Sequence, residues 1–355
     1  MRTAGISGQT CDCNGYPGYE CIGSGTLREL IDNDKLLDYT EAQTDPQYIV
    51  VESDINFLDP QESAPYHFAP GSHIIMLQDA ALSVRKEIVF DGITISGCGD
   101  AWRGIDVFGS GRLRSLAGTS ISNACHAIVL KSNSRAEIVS NLFANNGICI
   151  EAEGNVQTLG EGIAHNTFLG DFYTTSCVLG TRWAVILENI PHITIGNMSG
   201  GGAPNQFNGY NNGILAINSN LDMYNTRFVD SLPGDSLKGT GIRLRSTGGT
   251  FTANITGLGN TENDRPFMKA LEFGIDAQNY DLSVHDAYFS DATKNHVKIN
   301  ESALPTSLVL IENRFERHAF DAVSVANSAL RHVYIYNNEF YDNHSTGFEK
   351  IGIRW

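Results

Sequence analysis

Charged residues are scarce in this chain of 355 residues, since Asp, Glu, Lys and Arg together make up 18% of it, against a usual share of about 25%. This shortage excludes a coiled coil and a disordered acidic chain. Long apolar runs are also absent, because no stretch approaches the ~18 residues of a transmembrane helix, and no basic start followed by an apolar core marks a signal peptide. The sequence therefore predicts a protein that is not inserted in a membrane, with any export signal not present in this chain.

Basic residues are fewer than acidic residues in this chain. Lys and Arg number 24 against 40 Asp and Glu, which gives a net charge of −16, and no basic stripe offsets it. This balance argues against nucleic acid as a partner. The chain is instead rich in Gly, with 36 residues, and in Asn, Ser and Thr, which favour turns over helices. An all-β fold is predicted.

A short phrase of Asn, any residue and Phe recurs along the chain, and a Gly-Ile pair with a short apolar strand follows several of its copies. The clearest copies are Asn141–Phe143, Asn166–Phe168, Asn205–Phe207, Asn313–Phe315 and Asn338–Phe340. Copies that follow one another directly predict coils of about 21 to 26 residues. Because such a short unit cannot bury its own apolar face, the coils must stack, with Phe residues forming a continuous core and Asn residues an amide ladder at the turns.

Two further blocks carry a family resemblance. The matching residues are Gly97, Cys98, Trp102, Arg103, Gly104 and Ile105 in the first block, and Ala124, Ala127 and Ile128 in the second. The chain resembles the secreted right-handed parallel β-helix proteins that some bacteria export with a C-terminal sorting domain, within the pectate-lyase-like superfold. The resemblance implies a right-handed parallel β-helix and a secreted or cell-surface location.

The predicted organisation has two parts. Residues 1–46 form a Cys-containing N-terminal segment with a short capping helix, and residues 47–355 form the β-helix, which continues or is truncated at the C-terminus. We expect Ser24 to cap the helix and Leu27, Leu30 and Ile31 to share its buried face. A lid of this kind covers the strand edges that an open solenoid exposes.

Cysteines predict disulfides and an oxidising compartment. Cys11, Cys13 and Cys21 share one loop that has too few ligands for a zinc site. Cys98 and Cys125 lie about one coil apart, which permits either a bridge between coils or a ladder of buried thiols. The pairing stays open at this stage.

Charged side chains on one outward face are candidates for polysaccharide cleavage. Alternation from the inward Ile positions places Lys131, Glu151 and Glu188 on neighbouring coils, with Arg243 and Arg245 further along. In a lyase, Glu151 and Glu188 hold Ca²⁺ and Lys131, or one of the arginines, serves as base. In a hydrolase, Glu151 and Glu188 flank the bond at about 5 to 9.5 Å. The alternative is a set of cross-strand ion pairs on a wet face.

Five tyrosines are candidates for stacking on sugar rings, because each offers a flat apolar face with a polar hydroxyl. They are Tyr210, Tyr224, Tyr280, Tyr334 and Tyr336. The alternative is ordinary packing on the sheets.

These observations lead to one preferred function and two alternatives. We expect an extracellular structural or adhesive β-helix whose lateral face binds a polysaccharide or another cell-surface glycan. The first alternative is a polysaccharide lyase or glycoside hydrolase acting in a groove on that face. The second is a repeat segment of a surface filament that self-associates through its end coils. Ca²⁺ is the one cofactor that the sequence suggests.

Overall fold

Most of the chain is described by a computed structural model. The described ranges are 11–99, 101–170, 183–199, 202–229, 239–258, 265–301, 304–318, 321–326, 329–341 and 353–354.

The polypeptide winds as a parallel β-solenoid with three strands to a coil. Among the described residues, strands from successive coils pair in parallel to form three sheets, with 13 strands in the first and second sheets and 11 in the third, which gives about eleven coils. The predicted all-β parallel β-solenoid is thus confirmed. No helix among the described residues is long and apolar enough to span a membrane.

The first sheet contains the strands Glu20–Ile22, Tyr48–Val51, His73–Met76, Thr94–Gly97, Ser120–Ser122, Leu142–Ala144, Thr167–Leu169, Asn205–Asn208, Thr226–Val229, Phe267–Lys269, Tyr288–Ala292, Arg314–His318 and Glu339–Tyr341. The second contains Gly25–Thr26, Ile55–Phe57, Ala81–Val84, Trp102–Val107, Ala124–Leu130, Ile148–Glu153, Trp183–Glu188, Asn212–Ile217, Thr240–Arg245, Phe273–Gln278, Asn295–Ile299, Val323–Val325 and Ile353–Arg354. The third contains Tyr66–Phe68, Glu87–Phe90, Arg112–Ser115, Arg135–Val139, Gln157–Ala164, Ile193–Ile195, Leu221–Tyr224, Phe251–Thr256, Tyr280–His285, Thr306–Ile311 and Leu330–Tyr336. The helices are Leu27–Asp32 and the 3₁₀ turns Cys13–Gly15 and Glu41–Gln43.

The repeated phenylalanines form a stack in the core, as the sequence predicts. Phe168 lies between Phe143 and Phe207, with ring centroids 5.2 and 4.4 Å away and nearly parallel planes. Later in the chain Phe315 stacks on Phe289 at 5.0 Å. Each ring occupies the inward position of its strand in the first sheet, so parallel register places one ring above the next.

The repeated asparagines form the predicted ladder at the turns that precede the first sheet. Oδ1 of Asn166 accepts a hydrogen bond from the Asn141 backbone N–H at 2.9 Å, and Nδ2 of Asn166 donates to the Ile138 carbonyl at 2.8 Å. The Asn166 backbone N–H in turn donates to Oδ1 of Asn205 at 2.8 Å. Because these side chains are buried, each rung supplies partners that water cannot supply.

The capping helix is present, and its cap differs from our prediction. Leu27, Leu30 and Ile31 are buried against the first coils, as expected. The N-cap, however, is Thr26 and not Ser24. Thr26 accepts a hydrogen bond from the Glu29 backbone N–H, and the Glu29 carboxylate accepts one from the Thr26 backbone, a reciprocal capping box that Ser24 has no glutamate to complete.

Two disulfides attach the N-terminal loop to the solenoid. Cys13 pairs with Cys21 and Cys11 pairs with Cys98, with Cα atoms 5.7 and 5.6 Å apart. The prediction that these cysteines form disulfides is confirmed, with a pairing that the sequence left open. Cys98 forms neither a bridge to Cys125 nor part of a thiol ladder, because the loop crosses the outer face of the first sheet beside Cys98. Cys125 is disulfide-bonded as well.

Candidate functional site

The register of the second sheet separates the charged residues that the sequence analysis grouped. Ile128 pairs with Ile150, so Glu151 lies opposite Val129 and next to Ile186 on the following coil. Glu188 lies opposite Glu153. The prediction that Glu151 and Glu188 share one outward row is therefore wrong by two residues. The reason is that Ile150, and not Ile148, is the inward residue that pairs with Ile128 and with Val185. Cys149, which alternation from Ile148 places outward, is buried.

Lys131 and Glu188 do lie in one outward row, together with Glu153. Nζ of Lys131 lies 3.4 Å from Oε2 of Glu153, and both side chains of this ion pair are exposed to water. The predicted Ca²⁺ site was assigned to Glu151 and Glu188. Within the described ranges, neither residue belongs to a group of three side chains close enough to bind one metal ion. The one such group that is found consists of Cys13, Cys21 and Glu52, and its two sulfur atoms are joined in a disulfide.

Arg243 and Arg245 are held by a single buried carboxylate on the next coil. Oδ2 of Asp276 accepts from Nε of Arg243 at 3.1 Å and from Nη2 of Arg245 at 2.5 Å, and Asp276 is only 4% exposed. Asn300 donates to the other oxygen of Asp276, and the Arg243 guanidinium lies over the Trp183 ring at 5.3 Å. Since both guanidinium groups donate hydrogen bonds to Asp276, neither is placed to serve as the base that a lyase requires.

A different group of titratable side chains converges on the same sheet, several coils nearer the N-terminus. Nδ1 of His126 and Oε2 of Glu151 are 2.5 Å apart, and this hydrogen bond lowers the pKa of Glu151. Burial raises the pKa of Asp106, one coil before His126, despite the opposing positive charge of Lys131. The sequence alone does not single out His126 or Asp106, because only the register brings the three side chains together.

Two of the five candidate tyrosines face the interior, which corrects our prediction for Tyr210 and Tyr280. Their exposed fractions are 7% and 2%. The Tyr210 hydroxyl donates to the Asn146 carbonyl at 3.2 Å, and the Tyr280 hydroxyl donates to the Ser219 carbonyl at 2.9 Å. Both hydroxyls thus satisfy buried backbone groups at the coil corners and offer no surface to a sugar.

The other three tyrosines lie on the outward face of the third sheet. Tyr224 and Tyr336 occupy one ladder row, four coils apart, and Tyr334 occupies the adjacent row. The rings of Tyr334 and Tyr336 are 6.2 Å apart, with exposed fractions of 53% and 57%. This face thus carries three of the five tyrosines predicted to stack on sugars, and two of them, Tyr334 and Tyr336, are neighbours.

The same face contains a groove where the strand Gln157–Ala164 bulges outward. Between the pairs Ala136–Thr158 and Ile138–Ile163 the strand carries extra residues, with Gly160 in a left-handed conformation (φ +54°). A Cβ at Gly160 would lie 2.0 Å from the Glu137 carboxylate, so a larger residue would displace that side chain and would adopt a backbone conformation that favours glycine. The bulge forms one wall of the groove.

The groove is open to solvent, has a volume of about 370 Å³ and is lined by both polar and apolar surface. Its lining residues are Thr158, Gly160, Glu161, Gly162, Thr194, Gly196, Asn197, Met198 and Ser199. Oε2 of Glu161 lies 3.0 Å from Nε2 of His165, and Nδ1 of His165 contacts the Ala203 carbonyl. Nδ2 of Asn197 lies 3.3 Å from the same Nε2. The imidazole therefore holds the bulge and the opposite loop at a fixed separation.

A polar row leads from the groove toward the exposed tyrosines. Thr194, on the groove wall, pairs with Asp222, and Asp222 pairs with Asn254 on the next coil, with Nδ2 of Asn254 donating to Oδ1 of Asp222 at 2.8 Å. The row continues through Ser283 and the apolar Val309 to Tyr334. With five coil spacings from Thr194 to Tyr334, it runs for about 24 Å.

Comparison of the chain with protein-family models, with curated proteins and with solved structures gave no match. The geometry of the two outward faces is thus the basis for assigning a function.

Proposed function

We propose that this protein is an extracellular structural or adhesive β-solenoid that binds a neutral glycan along the outward face of its third sheet. The observation that carries the proposal is the groove at Glu161 and Asn197, which opens onto the row of Asp222 and Asn254. Carboxylate, amide and hydroxyl side chains are the partners that sugar hydroxyls require, and concave sites with a few fixed polar groups hold small ligands well.

The shape and charge of the molecule favour an extended, uncharged ligand. The polar row is straight because parallel register repeats each outward position at the same place on every coil. Tyr334 and Tyr336 expose more than half of their surface at the far end of the row, where a ring can stack on the apolar face of a sugar. A net charge of −16 disfavours polyanionic ligands. The disulfides suit an oxidising, extracellular environment.

The proposal is tested by measuring binding to a panel of neutral and uronate-containing polysaccharides, by affinity electrophoresis and calorimetry. We expect a neutral member to bind, and Glu161→Gln and Asn197→Ala each to weaken it by roughly tenfold, since each removes about one strong hydrogen bond. The matched control is Glu153→Gln, an exposed glutamate on the second sheet, which should leave the affinity unchanged.

Two results would contradict this function. One is the absence of binding to every polysaccharide by a folded sample. The other is equal weakening by Glu161→Gln and Glu153→Gln, which would place the ligand away from the groove.

A further inference from the structure

Three successive coils of the second sheet place an acid, an imidazole and a second carboxylate on one outward strip. Asp106 and Glu151 occupy the same ladder row, with Val129 between them, and His126 belongs to the middle coil. Val129 is only 6% exposed, so it forms an apolar floor between the two carboxyl groups. The two ladder positions are two coil spacings apart, about 9.5 Å.

His126 and Glu151 form an oriented pair. The 2.5 Å contact between Nδ1 of His126 and Oε2 of Glu151 places the Nδ1 proton on the carboxylate side of the ring. Nε2 then presents its lone pair outward, and it makes no hydrogen bond to any of the residues that the structure describes. The imidazole side chain is 35% exposed. A carboxylate behind a histidine in this way fixes the tautomer and stabilises the imidazolium that forms when Nε2 takes a proton.

Asp106 is in the opposite situation. Its carboxyl group is half-buried, and burial raises its pKa, whereas the hydrogen bond from His126 lowers the pKa of Glu151. The surroundings therefore shift the pKa values of the two carboxyl groups in opposite directions. Two carboxyl groups whose surroundings separate their pKa values in this way are suited to act as acid and as part of a base.

We propose that Asp106 and the His126–Glu151 pair form the acid–base centre of an inverting glycoside hydrolase. A water molecule above Val129 attacks the anomeric carbon and gives its proton to Nε2 of His126. The bond from that carbon to the glycosidic oxygen breaks, and the oxygen receives the proton of Asp106. His126 then releases a proton to solvent and Asp106 regains one, so the net reaction is hydrolysis. His126 pairs with Gly104, two residues before Asp106 on the preceding coil, so the ladder positions of acid and base are about 8 Å apart. Inverting enzymes keep the two groups about 6.5 to 9.5 Å apart, which leaves room for the water.

The substrate class rests on the glycan-binding function proposed above, and the local charges agree with a neutral glycan. The nearby cations are already paired: Nη2 of Arg103 lies 2.7 Å from Oδ2 of Asp54, and Lys131 pairs with Glu153. No free cation among these side chains is left to neutralise a uronate carboxylate, the step on which cleavage by β-elimination depends. Hydrolysis needs no such cation.

The test uses the full chain with a glucan, a xylan and a mannan, and follows new reducing ends and the anomeric configuration of the first product by NMR. We expect the wild type to cleave one of them, with a bell-shaped dependence of kcat/KM on pH and an inverted product. Asp106→Asn and His126→Ala should each lower kcat by about 100-fold or more. Glu151→Gln should lower kcat and move the acidic limb of the pH profile, because Glu151 acts through His126. Glu153→Gln, the matched control, should change kcat by less than about twofold.

The outcomes separate this inference from the binding function. Binding without any release of reducing ends overturns the hydrolase and leaves the binding function standing. Cleavage by the wild type, together with an affinity for the glycan that Glu161→Gln leaves unchanged, overturns the groove as the binding site and leaves the hydrolase standing. A retained anomer, a flat pH profile of the wild type, or full activity of a folded Asp106→Asn variant overturns the assignment of Asp106 as acid. The wild-type profile decides the matter even where a variant fails to fold.

Discussion

The buried asparagine ladder should make Asn166 far more important to stability than its small side chain suggests. In Asn166→Ala the backbone N–H of Asn141 loses its acceptor, and the Ile138 carbonyl loses the donor at 2.8 Å. Nδ2 of Asn141 also loses one of its two acceptors. A buried group without a partner costs about 1 to 3 kcal/mol. The Asn141 N–H is left without a partner, and the Ile138 carbonyl and the Asn141 side chain each lose one hydrogen bond. We therefore expect the free energy of unfolding to fall by about 4 kcal/mol.

Asn338 offers a matched control within the same chain. It makes the same contacts in the last rung of the ladder among the described residues, accepting from the Asn313 backbone N–H at 2.9 Å and donating to the Leu310 carbonyl at 2.8 Å. Asn338 is only half-buried, so water replaces the lost side chain. Asn338→Ala should therefore cost about 1 kcal/mol.

Urea unfolding of the three proteins, followed by circular dichroism, measures this difference. The comparison needs equal m values, because partial unfolding of end coils is common in solenoids. If the two alanine variants lie within about 1 kcal/mol of each other, burial does not set the value of the rungs, and the argument fails.

Two further predictions concern the disulfides of the N-terminal loop and the His126–Glu151 pair of the second sheet. Cys98→Ser should destabilise the protein by about 4.5 kcal/mol and Cys13→Ser by about 2.5 kcal/mol, because the bridges close loops with sequence separations of 87 and 8 residues. Thermal unfolding of the oxidised proteins checks the order, and a larger effect of Cys13→Ser would refute it. The pKa of Glu151 is lowered by its hydrogen bond from His126, so its contribution to stability is present above the unfolded pKa and is lost as the pH falls through the lower folded pKa. Unfolding midpoints between about pH 3 and pH 7 should therefore decline less steeply on acidification in Glu151→Gln than in the wild type, and identical slopes would count against the ionised pair.

Repeat-level features were predictable from the sequence because they depend on local chemistry that recurs. The Asn-x-Phe phrase predicts both the stacked rings at Phe168 and the amide rung at Asn166, since a coil too short to bury itself leaves these residues no other place. The lid helix was predictable for a related reason: Leu27, Leu30 and Ile31 share one helical face. Its cap was missed because the capping box depends on Glu29, three residues after Thr26.

The candidate sites depended on register, which the sequence does not determine. A shift of two residues at the strand Ile148–Glu153 moves Glu151 out of the row of Glu188 and into the row of Asp106, where His126 reaches it. Alternation gives the face of each side chain, but not its neighbour on the next coil, because the lengths of the turns and bulges set the alignment.

The groove at Gly160 likewise depended on the tertiary structure. The glycines on either side of Glu161 are visible in the sequence, yet the groove exists only because the loop at Asn197 lies opposite. Likewise the tyrosine pattern does not distinguish Tyr280, whose hydroxyl closes a buried corner, from Tyr334 on the surface. Composition and repeats thus determined the solenoid and its core, whereas the contacts between coils alone decided which polar side chains meet.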